Sequence, residues 1–142
     1  MMEWKNEPDE YEWVDQKTGY SCYIRRVPEM KHLCGYVKVY PSNFFYSTPK
    51  QFSGLIERHF RVHGGVTFIG EIENKDGLWF GFDCCHAEDI IPEQVEKKPL
   101  TFSHSATYKN IEFVKEQCEL LAKQLKNFET TQMIKDMHED LL

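Results

Sequence analysis

The chain has 142 residues, 41% hydrophobic and 14% aromatic, with a formal net charge of −6. That length suits one domain with small appendages, and no apolar run approaches the ~20 residues needed to cross a bilayer. Residues 1–17 carry six acidic and two basic side chains and residues 126–142 four and two, so the stretch between is balanced and offers no basic face for duplex DNA.

The opening MMEWKNEPDEYEW is acidic and lacks the basic-then-apolar pattern of a signal peptide, so the expected location is the cytoplasm. Its charged and aromatic side chains suit either a frayed end leading into an edge strand or a surface that imitates nucleic acid or docks on a basic protein. Glu10 to Asp15 and Tyr20 to Arg26 alternate polar and apolar residues around the turn Gln16-Lys17-Thr18-Gly19, which predicts a hairpin. HLCGYVKVY, residues 32–40, is a third strand stopped by Pro41. PSNFFYSTPK reads as a loop with exposed aromatics. Ser47 or Thr48 before Pro49 marks a helix start, and Phe52, Leu55, Ile56 and Phe60 follow at helical spacing.

Residues 62–89 carry the densest chemistry. Glu73 to Gly77 is a turn, and pairing Ile72 with Leu78 sets Gly70 against Phe80, Phe68 against Phe82 and Val66 against Cys84, an almost wholly apolar face. The other face then pairs Thr67 with Asp83, with His63 and Cys85 beyond and His86 and Asp89 in the following loop. Two polar clusters distant in sequence are thereby expected to meet at the open end of one hairpin. Residues 90–106 read as irregular. Ile111, Val114, Cys118, Leu121, Leu125 and Phe128 then form the strongest helical stripe, over 107–126, with Thr107 or Asn110 as cap. Met133, Ile134, Met137 and Leu141 make a second, shorter stripe suited to an oligomer seam.

The expected fold class is α+β: a mainly antiparallel sheet of about five strands with a long C-terminal helix packed on one face. Residues 1–126 form one domain with an acidic N-terminal hairpin, and residues 127–142 form an amphipathic helical tail. Five cysteines, an odd number without a C-x-x-C, point to reduced thiols.

Three chemistries fit the cluster. His63, Gly64, Gly65, Thr67, Asp83, Cys85 and His86 suit a ligand site, in which the Gly-Gly backbone offers N–H groups to phosphate oxygens. Phe44, Phe45, Tyr46, Trp79 or Tyr108 would stack a base, and Arg25, Arg26 or Arg61 would pair with a phosphate. His63, Asp83, His86 and Asp89 are instead the set that would hold a divalent metal for hydrolysis, although no established metal-binding spacing is present. Cys85 beside His63 would make a nucleophile pair. Against all three stands the plainer role of Asp83 as a loop-fixing acceptor of hydrogen bonds.

His63-Gly64-Gly65-Val66-Thr67-Phe68, then Trp79-Phe80-Gly81-Phe82-Asp83 with His86 and Asp89, then Phe113-Val114 to Gln117-Cys118, resemble the core of a widespread group of small, mostly uncharacterised bacteriophage proteins. The upstream Cys34-Gly35-Tyr36-Val37 is similar too, and the resemblance covers roughly residues 33–125. PSNFFYSTPK departs from a loop that in the group resembles Pro-x-Gly-His-Pro, so that loop's histidine has no counterpart here. The N-terminal hairpin and the tail look like additions.

The resemblance implies a phage origin, not a reaction. Such proteins serve host takeover or counter-defence, by sequestering a nucleotide-derived immune signal or by blocking a host nuclease. The leading expectation is therefore a non-enzymatic accessory protein that needs no cofactor and binds a small anionic, nucleotide-like ligand. The alternatives are a protein–protein inhibitor of a host defence protein and a metal-dependent hydrolase.

Overall fold

The computed structural model describes residues 3–97 and 105–140. Five strands, β1 (Glu10–Val14), β2 (Ser21–Arg26), β3 (Leu33–Val39), β4 (Phe68–Gly70) and β5 (Leu78–Asp83), form one antiparallel sheet in the order β1-β2-β3-β5-β4. Among the described residues four helices accompany it: α1 (Ser53–His59), α2 (Pro92–Lys97), α3 (Ile111–Lys126) and α4 (Thr130–Asp140). The expected α+β class and antiparallel sheet are thus present. None of the described helices is long and apolar enough to cross a membrane.

Strand alternation sends Cys22, Ile24, Leu33, Val37, Phe80 and Phe82 to one face, where Val114, Cys118, Leu121, Ala122 and Leu125 of α3 bury them. Leu121 and Leu125 are fully buried, each stabilising by roughly 1.5–3 kcal/mol. Gly35 makes the approach possible: a Cβ there would sit 2.5 Å from Phe82 and 2.8 Å from Cys118 Sγ. The opposite face is apolar as well. Tyr23, Cys34, Tyr36, Ile72 and Trp79 form a second apolar cluster there.

The 66–84 register differs from the expected one. Phe68 lies opposite Gly81, Ile69 opposite Phe80 and Gly70 opposite Trp79. Thr67 N–H also donates to the Gly81 carbonyl at 2.9 Å, so two residues face one, as in a β-bulge. The extra residue reverses the alternation. Val66 and Ile69 both reach the α3 side, while Phe68 turns to the other face against Tyr36.

Four further expectations are corrected. The N-terminus is docked rather than frayed: Glu3–Asn6 form a 3-10 turn, Trp4 is buried against Tyr108, and Glu7 accepts the Ile111 N–H at the start of α3. The first helix starts at Ser53, not at Ser47 or Thr48, because Phe45 is buried and Asn43 ties its loop to the Leu125 carbonyl and the Phe45 N–H. Residues 92–97, expected to be irregular, form α2. Asn110 caps α3 through Phe113 N–H at 2.9 Å, so the helix begins at Ile111 rather than Thr107. Leu141 lies outside the described residues, while Ile134 and Met137 on α4 are exposed.

Candidate functional site

The site begins where β3 starts and β5 ends. Cys34 pairs with Asp83, and the Cys84 N–H continues the ladder to the Leu33 carbonyl. The chain then turns, with Asp89 N–H donating to the His86 carbonyl, and Asp89 bridges to Thr107 in parallel. That bridge carries Lys109 to the cluster. From the other side, Gln117 and Gln124 of α3 grip residues 61–63: Gln117 accepts the His63 N–H, and Gln124 accepts the Arg61 N–H and donates to its carbonyl. Phe113, one turn before Gln117, packs edge-on to the His63 ring at 5.1 Å.

Asp89 is the centre of the cluster, with its side chain fully buried. It accepts from His63 Nε2 at 2.8 and 2.9 Å, from Lys109 Nζ at 3.0 Å and from the His86 N–H at 3.0 Å. Burial pushes its pKa up, but these hydrogen bonds and charges prevail and hold it below the ordinary carboxylate value. An ionised carboxylate only accepts, so Nε2 of His63 is the protonated nitrogen and Nδ1 faces away from Asp89.

Asp83 forms a second couple beside the first. It accepts from Cys85 Sγ at 3.2 Å, the Cys85 N–H at 3.3 Å and Thr67 Oγ1 at 3.2 Å. Burial raises its pKa, and the Cys85 and Thr67 hydrogen bonds with the nearby His86 bring it below the ordinary value. His86 Nε2 lies 3.0 Å from Asp83 Oδ1. The ring is off line for a hydrogen bond, so the contact is electrostatic and this buried nitrogen keeps an unused valence. Gly64, at φ +69°, lies flush against it: a Cβ there would come within 2.0 Å of His86 Nε2. The His63 and His86 rings stand edge-to-face with centroids 5.6 Å apart.

The predicted residues do converge, but their partners differ from those expected. His63 engages Asp89, and Asp83 engages His86, because the bulge resets the hairpin and the Thr107 bridge seats Asp89 under His63. The Gly-Gly phosphate cradle is largely spent: the His63 N–H goes to Gln117 and the Gly65 N–H to the Val62 carbonyl. Among the described residues no three His, Cys, Asp or Glu side chains are arranged to hold a metal ion, since the four candidates are paired off as two couples. Cys85 is exposed, but burial of its thiol and the hydrogen bond to Asp83 push its pKa up to about 12, so it is not a ready nucleophile.

Four of the expected stacking and phosphate-pairing side chains are engaged elsewhere. Phe45 and Trp79 are buried in the two cores, and Tyr108 and Arg26 bond to each other. Two residues missed in the sequence belong to the cluster. Lys109 carried no signal, since its position depends on the Thr107 bridge. His32, before β3, is buried with an unpartnered Nδ1, and it shares the fields of Asp83, Asp89 and His86. Burial holds its pKa below the ordinary imidazole value. Its place became visible only with the β3–β5 pairing.

No protein-family model, curated protein or solved structure matches the chain.

Proposed function

We propose that this is a phage accessory protein of the host-takeover or counter-defence kind, which binds a small phosphate-bearing, nucleotide-like ligand at the His63–His86 end of the sheet. The observation that carries the reading is the pair of imidazoles 5.6 Å apart, each backed by a carboxylate, with side chains 20% and 38% exposed. Their Nδ1 atoms have no hydrogen-bond partner among the described residues. Unpartnered ring nitrogens on two adjacent, carboxylate-backed imidazoles are positions where a polar ligand gains hydrogen bonds, and Lys109 already offsets the charge of Asp89 behind them. The phage setting rests on the resemblance of the 63–68, 79–89 and 113–118 motifs.

Thermal denaturation with cyclic dinucleotides and ADP-ribose derivatives tests it. A ligand at one hundred times its dissociation constant stabilises by about 2.7 kcal/mol, several degrees in Tm for a chain of this size. A shift that disappears in His63→Ala supports the reading; no shift with any of these compounds overturns it. A second reading, self-association through α4, draws on Ile134 and Met137, 61% and 65% exposed on that helix. A molar mass that halves in Ile134→Asp supports it, and a wild-type monomer at high concentration dismisses it.

A further inference from the structure

We propose that the free edge of β1 is a docking strand for an extended, basic segment of a partner protein, which joins the sheet as a further strand. The inference is independent of the nucleotide-binding reading. β1 is an edge of the sheet and pairs only with β2 among the described residues. In an antiparallel pair, alternate residues turn their backbone N–H and C=O toward the neighbour and the others turn them away. The phase is fixed at both ends of β1. The Arg26 N–H donates to the Asp9 carbonyl at 2.8 Å, and the Asp15 N–H to the Tyr20 carbonyl at 2.9 Å. With Glu10 opposite Arg25 and Val14 opposite Ser21, the residues facing β2 are Asp9, Tyr11, Trp13 and Asp15. Glu10, Glu12 and Val14 therefore direct their backbone groups outward. Of these groups only the Val14 carbonyl has a partner among the described residues, the Gln16 side-chain amide at 3.3 Å.

Open edges are commonly blunted by lysine, proline, a bulge or a covering element. β1 contains no lysine or proline, and its ladder with β2 runs without a bulge. Its charges are carboxylates only. Glu10 is exposed and accepts the neutral Tyr23 hydroxyl at 2.6 Å. Arg26 reaches Asp9 and Lys75 reaches Glu12, yet those carboxylate side chains stay 81% and 60% exposed. Side chains alternate as the backbone does. Glu10, Glu12 and Val14 lie on one face. Tyr11 and Trp13 lie on the other, with ring centroids 5.4 Å apart and Lys115 Nζ over both rings. A strand added at this edge follows the same alternation. It places lysine or arginine opposite Glu10 and Glu12, and aromatic or β-branched side chains opposite Tyr11 and Trp13.

A second copy of this chain fits the edge poorly. Antiparallel pairing centred on Glu12 sets two Glu12 carboxylates opposite each other, and pairing centred on Tyr11 sets Glu10 opposite Glu12. Like charges directly opposed destabilise a ladder. Pairing centred on Trp13 engages only Glu12 to Val14 before the partner enters its turn at Gln16. The occupant that matches the charge along the whole strand is a basic one.

The probe is a labelled peptide in which lysine alternates with valine and tyrosine. It is titrated into the full chain and followed by fluorescence anisotropy, with amide hydrogen exchange read by NMR. Saturable binding that salt weakens is expected. The Glu10, Glu12 and Val14 amides, quick to exchange in the free chain, are expected to become protected on binding. Glu12→Pro removes an N–H that makes no bond within the sheet, so it is expected to keep the fold and weaken the peptide at least about 5-fold. Should that variant melt early, peptides methylated on alternate backbone nitrogens repeat the test. Methylating the set that faces β1 is expected to abolish binding, and methylating the other set to spare it. Glu10→Lys combined with Glu12→Lys is expected to reject the lysine peptide and admit its glutamate counterpart. No binding at low salt overturns the proposal. So does binding that leaves exchange at Glu10 and Glu12 unchanged, which shows charge attraction without strand pairing. Protection of those amides that grows with protein concentration, without peptide, identifies a second copy as the occupant and overturns it too.

Discussion

Arg26 and Asp89 are both buried charged residues, and the fold treats them differently. Arg26, at the end of β2, is fully occupied: Glu7 at 3.1 Å, Asp9 at 3.0 Å, the Tyr108 hydroxyl at 2.9 Å and the Lys31 carbonyl at 2.8 Å surround its guanidinium. Glu7 in turn holds Tyr108 and the first N–H of α3. The Glu7 and Asp9 bonds join the N-terminal segment to the sheet, to Tyr108 and to α3, and the others tie β2 to Lys31 and Tyr108. Asp89 is as well satisfied, but the groups around it are not: Nδ1 of His63, both nitrogens of His86 and Nδ1 of His32 have no hydrogen-bond partner among the described residues. A closed network holds the chain together, whereas unused valence at the edge of a rigid one is where a ligand gains hydrogen bonds.

The sharpest way to break the contrast is Arg26→Ala. It strands Glu7, whose side chain is 12% exposed, beside an Arg26 position that is 7% exposed, and is expected to cost about 3–5 kcal/mol in denaturant unfolding. A cost under about 1 kcal/mol shows the clasp to be ornamental. Asp9 accepts from Arg26 Nε in the same network, but its side chain is 81% exposed, so Asp9→Asn is expected to change little.

Asp89→Asn comes next. Lost charge-assisted hydrogen bonds are expected to cost about 1.5–3 kcal/mol at neutral pH. The pH dependence has a definite sign. Asp83 and Asp89 titrate below the ordinary carboxylate value when folded, so their contribution is complete above about pH 5. It is lost as pH falls through the ordinary value toward the folded one. Stability measured from pH 6 to pH 2 should therefore fall less steeply in Asp89→Asn than in the wild type; equal slopes contradict the buried anion.

Gly64 and Gly65 sharpen the comparison within one turn. Both sit at positive φ, so alanine at either is expected to cost about 1–2 kcal/mol. Only at Gly64 does the Cβ strike His86; at Gly65 its nearest neighbour is the Glu57 carbonyl oxygen at 3.6 Å. Nucleotide binding is expected to vanish in Gly64→Ala and persist in Gly65→Ala, and equal losses show that backbone strain alone was read. The smallest effect belongs to Cys85→Ala, within about 0.5 kcal/mol, with the wild-type thiol slow to alkylate at neutral pH despite its exposure.

Much of this was legible in the sequence, because alternation and helical spacing report burial directly. β1 to β3, the β5 strand, α3 and its Asn110 cap all follow from such patterns. The closeness of His63, Thr67, Asp83, Cys85, His86 and Asp89 was legible too, because a hairpin must bring its ends together. Their pairing was not. A one-residue bulge at Thr67–Phe68 leaves the apolar pattern plausible in either register, so periodicity could not choose. Lys109 and His32 arrive through a parallel bridge and a strand pairing between distant segments, neither of which has a period to read. Glu7 looked like surface charge because its partners Arg26, Tyr108 and Ile111 lie far along the chain.

The most direct measurement is long-range ¹H–¹⁵N correlation of the imidazole nitrogens during a titration with cyclic di-adenylate, with His138 on α4 as the remote control. The account expects His63 to carry its proton on Nε2. The His63 and His86 nitrogens should move together on adding nucleotide while those of His138 stay still. A proton on Nδ1 of free His63, or a ligand response that leaves both rings unmoved, contradicts it.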